Sequence, residues 1–285
     1  MEKNKERELI EKVGKEISDL MPDCCGVTLG GSRCYEVNDE HSDVEMYFYT
    51  HDGPPAVERI TDCLLKMNAK HKRTDSFLWE NEMPWGPHSF FVIDDLYFEI
   101  GYRNIDNIRK RIEAYKSGIV ARQGDCHDLG LGYMPSGLSA SVTNEKLMLK
   151  VTKELLELKR IAGEMSPELL SSLKSEYFDT ATSLIEGKLL SAVERGDMFF
   201  YESISGRITR CLMVMAFAIC HKDFPGDKWN EILLMRTDWQ DKEEFINLLK
   251  EHINYQASNT KELSGKRKVL LKAYDLVKKD LGGNE

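Results

Sequence analysis

Apolar residues recur every three or four positions from about Lys5 to Leu20, at Leu9, Ile10, Val13, Ile17 and Leu20, and this spacing predicts an amphipathic helix. Met21-Pro22-Asp23 stops it. The pattern then changes to short apolar runs typical of strands, Cys25 to Leu29 and Val44 to Tyr49, separated by a Gly30-Gly31-Ser32 turn. His51-Asp52-Gly53-Pro54-Pro55 is a turn signal, and Val57, Ile60, Leu64, Leu65 and Met67 mark the helix after it. Strand character returns at Ser76 to Trp79, Ser89 to Ile93 and Leu96 to Tyr102, with Asp94-Asp95 as a hairpin turn between the last two. Ile105 to Ser117 reads as a helix.

Periodicity is lost between about Gly124 and Ser141, a stretch rich in Gly and Ser, and a domain boundary is placed there: residues 1–130, then 131–285. Beyond it the pattern is almost wholly helical. One stripe runs Leu147, Val151, Leu155, Leu158, Ile161; Ser166-Pro167 opens the next helix; Ala181, Leu184, Ile185, Leu189, Ala192 and Val193 form a core face. Arg207 to Cys220 is apolar nearly all round, as a buried helix would be, and Met213, Met215 and Phe217 read as core. Trp229 to Leu234, Phe245 to Ile253 and Val269 to Leu281 add further helices. The class is α+β: a mixed sheet with flanking helices, followed by an all-α bundle.

Composition narrows the function classes. The 285 residues, 41% apolar and 31% charged, are those of a globular protein. No apolar run approaches the ~20 residues of a membrane span. Met1-Glu2-Lys3-Asn4-Lys5-Glu6 lacks a signal-peptide core, so a cytoplasmic protein with reduced cysteines is expected. A net charge of −9 disfavours general binding of nucleic acid and would attract a polycationic acceptor. The seven cysteines and the dispersed His41, His88, His127 and His221 show no zinc-finger spacing.

The chemistry concentrates in residues 30–49. Gly30 and Gly31 let the backbone turn tightly and bring N–H groups close to an anion, and Ser32 adds a hydroxyl donor. Asp43 and Glu45 stand two apart on a strand, so both carboxylates leave the sheet on one face, where they can hold a divalent cation. The bland alternative is a solvated strand end. Glu99 is a third carboxylate, set mid-strand among aromatic and aliphatic residues, where an unpaired charge is costly; the alternatives are an outward-facing residue, or Asp94 or Asp95 in its place. Arg33 reaches either a phosphate or a neighbouring carboxylate. Lys222 and Lys228 are candidate triphosphate contacts or plain surface lysines. Trp79 and Trp85 form either an aromatic wall or core packing, and the basic residues around Lys266-Arg267-Lys268 read as a solvated helix face.

Gly31-Ser32 with Asp43-Val44-Glu45 eleven residues on resembles the signature of the DNA polymerase β-type nucleotidyltransferase superfamily. Ser42-Asp43-Val44-Glu45-Met46 is most similar to its small-molecule branch, which adenylylates aminoglycoside and lincosamide antibiotics. Arg195-Gly196-Asp197-Met198-Phe199 resembles a turn of the lincosamide-type enzymes, and also reads as a glycine helix cap. The resemblance implies a nucleoside triphosphate (ATP) as donor and a small-molecule hydroxyl as acceptor. It implies Mg2+ at Asp43, Glu45 and Glu99, phosphate contacts from Gly31, Ser32, Arg33 and Lys228, and catalysis by Asp43, Glu45 and Glu99. The chain departs from the commoner pattern at Arg33-Cys34-Tyr35-Glu36, where relatives often carry a second Arg and a Gly, and at Glu45, where Asp is usual. Rival readings are a protein-modifying nucleotidyltransferase of toxin–antitoxin type, an RNA-extending enzyme, which the acidic balance disfavours, and a catalytically silent nucleotide-binding module.

Overall fold

The computed structural model describes residues 3–71, 78–79, 86–121, 134–226 and 228–282. Its first elements are α1 (Lys3–Ser18), β1 (Gly26–Leu29), α2 (Gly31–Cys34), β2 (Val44–Thr50), α3 (Val57–Lys66), β3 (Lys70–His71) and β4 (Leu78–Trp79). Then come β5 (His88–Ile93), β6 (Leu96–Asn104), α4 (Ile105–Lys116), α5 (Pro135–Asn144), β7 (Lys146–Leu149) and α6 (Lys153–Ala162). The strands form one seven-stranded sheet in the order β3-β5-β6-β2-β1-β7, with β4 also paired to β5. Among the described strands only β2 and β6 run parallel, so the sheet is mixed.

Alternation along β2 decides which face each side chain takes. Val44, Met46 and Phe48 are fully buried in a cluster with Ile10, Val13 and Ile17 of α1 and with Ile60 and Leu64 of α3. Burying each such side chain is worth about 1.5–3 kcal/mol, which fixes the strand's register. On the opposite face Tyr49 is fully buried with Ile105, Ile108 and Ile112 of α4, Leu138 and Val142 of α5, and Leu155 and Leu158 of α6. Tyr47 packs against that cluster, and Glu45 and Asp43, further towards the strand's start, remain half-buried. The β5–β6 hairpin forms as expected: Asp94 and Asp95 both take left-handed φ values, 48° and 66°, as a tight two-residue turn requires.

Two compact units divide the chain, Met1–Ala114 with Arg122–Glu164, and Tyr115–Ala121 with Met165–Glu285. The boundary expected near residue 130 falls inside the first of them, which extends to Glu164. The stripe from Leu147 to Ile161 is two elements rather than one helix. Lys146–Leu149 is an edge strand paired with β1, and α6 begins only after Thr152, whose side chain accepts a hydrogen bond from Leu155 N at 3.3 Å. Strand pairing overrides the helical spacing there.

The second unit is helical. A continuous run from Pro167 to Arg195 contains two π-helical turns, Lys174–Phe178 and Ile185–Leu189, and is followed by Met198–Ile219, Asn230–Met235, Lys242–Asn254 and Thr260–Gly282. Gly196 ends the first run in the left-handed region (φ 67°), and Asp197 caps the next helix by accepting from Phe200 N at 3.0 Å, so that motif is a helix-to-helix turn. Met213, Met215 and Phe217 are core, as expected. Lys266 is not solvated: it is 5% exposed and pairs with Glu202 at 2.6 Å. Burial, with Lys266 nearby, pushes His252 down to about 4 from its ordinary 6.5, so between these values the unfolded chain binds a proton that the folded chain does not. Stability of this unit should therefore decline as pH falls from about 6.5 to 4, and less so in His252→Asn, measured by urea unfolding against pH.

Candidate active site

Parallel pairing of β2 with β6 sets Glu45 directly beside Glu99, and antiparallel pairing of β5 with β6 sets Phe90 on the far side of Glu99. All three leave the same face of the sheet. Asp43 precedes the first residue of β2 and is half-buried, as is Glu99, whose side chain is 28% exposed. Two carboxylates in register on adjacent strands repel one another unless a cation or a proton intervenes. That is the arrangement expected of residues that share a ligand.

The neighbouring row of the same face explains how Glu45 is aimed. Tyr47 lies opposite Gly101, which lies opposite His88. A Cβ on Gly101 would stand 2.8 Å from the Tyr47 ring, so only glycine leaves room for that ring. Tyr47 donates its hydroxyl hydrogen to Glu45 Oε2 at 2.8 Å, and the Arg103 guanidinium sits over the Tyr47 ring at 3.5 Å. Burial, followed by the Glu45 charge, pushes the Tyr47 phenol well above its ordinary value, so it stays a donor. His88 Nε2 lies 3.9 Å from Glu99 Oε1.

Arg103 is held in turn by Glu145. Its guanidinium meets Glu145 Oε1 at 2.5 Å and the Tyr49 hydroxyl at 2.8 Å, while Glu145 accepts from Thr28, Tyr49 and Ser141, each at 2.7 Å. Burial pushes Glu145 up, but Arg103 and these hydrogen bonds outweigh it and hold the carboxyl below its usual range. A supported path thus runs from Glu145 through Arg103 and Tyr47 to Glu45. Sequence reasoning missed it; the signal was the period-two face Tyr47-Tyr49 beside Gly101-Arg103.

At the end of β1 the chain turns through Gly30 and Gly31, and Gly30 N donates to Glu45 O at 2.8 Å. Gly31 has φ +56°, and a Cβ there would meet Glu45 Oε1 at 2.4 Å. Glycine is required for both reasons. Gly31→Ala is expected to lose about 1–2 kcal/mol from the left-handed backbone and to displace the Glu45 carboxylate, reducing turnover by about 100-fold. Thermal unfolding and initial rates separate the two effects. Ser32 is 6% exposed, and its hydroxyl has no hydrogen-bond partner among the described residues.

Arg33 goes to a neighbouring carboxylate. Its guanidinium pairs with Glu6 of α1 and also donates to the backbone oxygens of Asp43, at 3.0 Å, and Ser42, at 3.3 Å. It thereby fixes the backbone that presents Asp43. Asp94 and Asp95 lie at the hairpin tip, so Glu99 is the β6 carboxylate in register with Glu45. Lys222 and Lys228 belong to the helical unit and are exposed, whereas Trp85 and the Trp79 side chain lie outside the described residues.

The chain is similar to a nucleotidyltransferase-like protein. That protein, from Exiguobacterium sibiricum 255-15 and known from a crystal structure, is 8% identical, with a TM-score of 0.46 over 95% of this chain and 78% of that one. No protein-family model and no curated protein matches the chain. Among the described residues no helix is long and apolar enough to cross a membrane.

Proposed function

We propose that this chain transfers a nucleoside monophosphate from a nucleoside triphosphate, ATP first, to a hydroxyl of a small molecule, releasing pyrophosphate. Aminoglycosides and lincosamides are the acceptors to try first. One observation carries this reading: Glu45 and Glu99 in register on parallel strands, with Asp43 two residues before Glu45 and the Gly31 turn against the Glu45 carboxylate.

An all-carboxylate set on one face suits a hard divalent cation, and Asp43, Glu45 and Glu99 would hold Mg2+. When bound, the ion offsets charge at the α-phosphate and acidifies the acceptor hydroxyl. The protein's own groups do the rest. Ser32 Oγ, buried and without a partner among the described residues, donates to a phosphate oxygen, and the Gly31 backbone lets that phosphate approach. Tyr47 fixes one Glu45 oxygen. Glu99 orients the acceptor hydroxyl and takes its proton as the acceptor oxygen bonds to the α-phosphorus; the bond to the bridging oxygen breaks, and pyrophosphate leaves. The Asp43 backbone is set by Arg33.

Ser32→Ala follows as a diagnostic variant. Removing an orphaned donor should leave stability unchanged or slightly raised, whereas KM for the nucleotide should rise about tenfold or more with loss of a hydrogen bond to a charged group. Isothermal unfolding and steady-state kinetics test both halves. The proposal itself is tested by incubating the protein with ATP labelled in the adenosine and a cell extract, then sizing the labelled product. A labelled small molecule supports it; label confined to protein redirects it to a protein acceptor.

A further inference from the structure

A second cluster of ligating side chains lies at the other end of β2. Cys25, just before β1, His51, just after β2, and Glu154 of α6 each offer one atom, and the three atoms lie within 4.8 Å of one another. His51 Nε2 is 3.2 Å from Glu154 Oε2, and Cys25 Sγ is 4.0 Å from the same oxygen. Two atoms bound to one tetrahedral zinc at about 2.0–2.1 Å stand about 3.3 Å apart, and a sulfur–oxygen pair about 3.5 Å. The cluster is thus within a small side-chain adjustment of a coordination shell.

His51 supplies an independent sign. Its other nitrogen, Nδ1, lies 3.0 Å from Asp106 Oδ2. A carboxylate on one imidazole nitrogen, with the other nitrogen aimed at further ligands, is the usual outer support of a metal-bound histidine. Asp23 holds the loop in place by accepting from His51 N and Asp52 N, both at 2.8 Å. The thiol's present partner is the Asp23 carbonyl at 3.3 Å, which coordination would replace. The buried Cys25 sulfur adds a third ligating atom to those of His51 and Glu154.

We infer that Cys25, His51 and Glu154 bind a zinc-class divalent cation, oriented by Asp106, as a clip joining the start of β1, the end of β2 and α6. Thiolate, imidazole and carboxylate together select zinc or cobalt over magnesium. The site is separate from Glu45, which lies six residues back along the strand, about 20 Å away. It stands or falls independently of the proposed transfer reaction.

The test is to titrate the chelator-treated full chain with Co2+ and then Zn2+. Expected are a thiolate-to-cobalt charge-transfer band that saturates at one thiolate-bound Co2+ per chain, displacement by Zn2+, a higher Tm with zinc, and retention of the band in the Asp43→Asn/Glu45→Gln double variant. Cys25→Ser should lose the band. Should that variant fail to fold, Asp106→Asn, altered at an exposed residue, should weaken zinc binding by about 10- to 100-fold. Absence of a thiolate band, its persistence in Cys25→Ser, or unchanged zinc affinity in Asp106→Asn would overturn the site.

Discussion

Asp43→Asn and Glu45→Gln are each expected to cut nucleotidyl transfer by about 1,000-fold or more while changing unfolding free energy by no more than about 0.5 kcal/mol. Both side chains are half-buried, and both replacements keep the size of the side chain and one of its hydrogen-bonding oxygens. In Glu45→Gln the amide oxygen can still accept from the Tyr47 hydroxyl, which lies 2.8 Å from Glu45 Oε2, so the local packing has no reason to change. What is lost is negative charge on a face where Glu45 and Glu99 already stand side by side. Glu99→Gln should reduce kcat at least as much as nucleotide affinity. Kinetics and chemical unfolding on the same preparations check these outcomes, and near-normal turnover in Asp43→Asn would remove the carboxylate site from the account.

The largest effect on stability is expected at Glu145. Glu145→Ala leaves the 3% exposed Arg103 guanidinium without its counter-charge and Thr28, Tyr49 and Ser141 without their acceptor, at a cost of about 3–5 kcal/mol. Glu145→Gln restores part of the hydrogen bonding but not the charge, and should fall between Ala and wild type. The pH dependence has a definite sign. A carboxyl held below its usual range stabilises the fold above that range, and the contribution is lost as pH falls through the lowered folded value. Wild type should therefore lose stability more steeply below about pH 4.5 than Glu145→Gln, in which the group cannot titrate. The His252 contribution is common to both proteins and cancels in the difference. Because Arg103 stacks on Tyr47, a folded Glu145 variant should also lose activity through misplacement of Glu45.

Much of the sheet was legible because its signals are local. Asp94-Asp95 between two apolar runs demanded a hairpin, and alternation after Asp43 demanded a strand with carboxylates on one face. The pairing of Glu45 with Glu99 was read only as a shared site; the parallel register that places them depends on α1 and α3 burying Val44, Met46 and Phe48 beneath the same sheet. Lys146–Leu149 was illegible for the opposite reason. Leu147 falls on helical spacing with Val151 and Leu155, and only pairing with β1 makes the segment a strand. Arg33 could not be settled from sequence either, because Glu6, which it meets, lies on the distant α1. Glu145 lies just before the apolar stripe that opens at Leu147, and nothing in the sequence marks it as the anchor of Arg103.

The most direct test of the central claim is pyrophosphate release from ATP in the presence of Mg2+ across a panel of aminoglycosides and lincosamides, with mass spectrometry of the products and Glu99→Gln run in parallel. The account predicts Mg2+-dependent release, a gain of one nucleoside monophosphate on the acceptor, and loss of both in the variant. Transfer that proceeds unchanged in Glu99→Gln, or with Mg2+ removed, would contradict it.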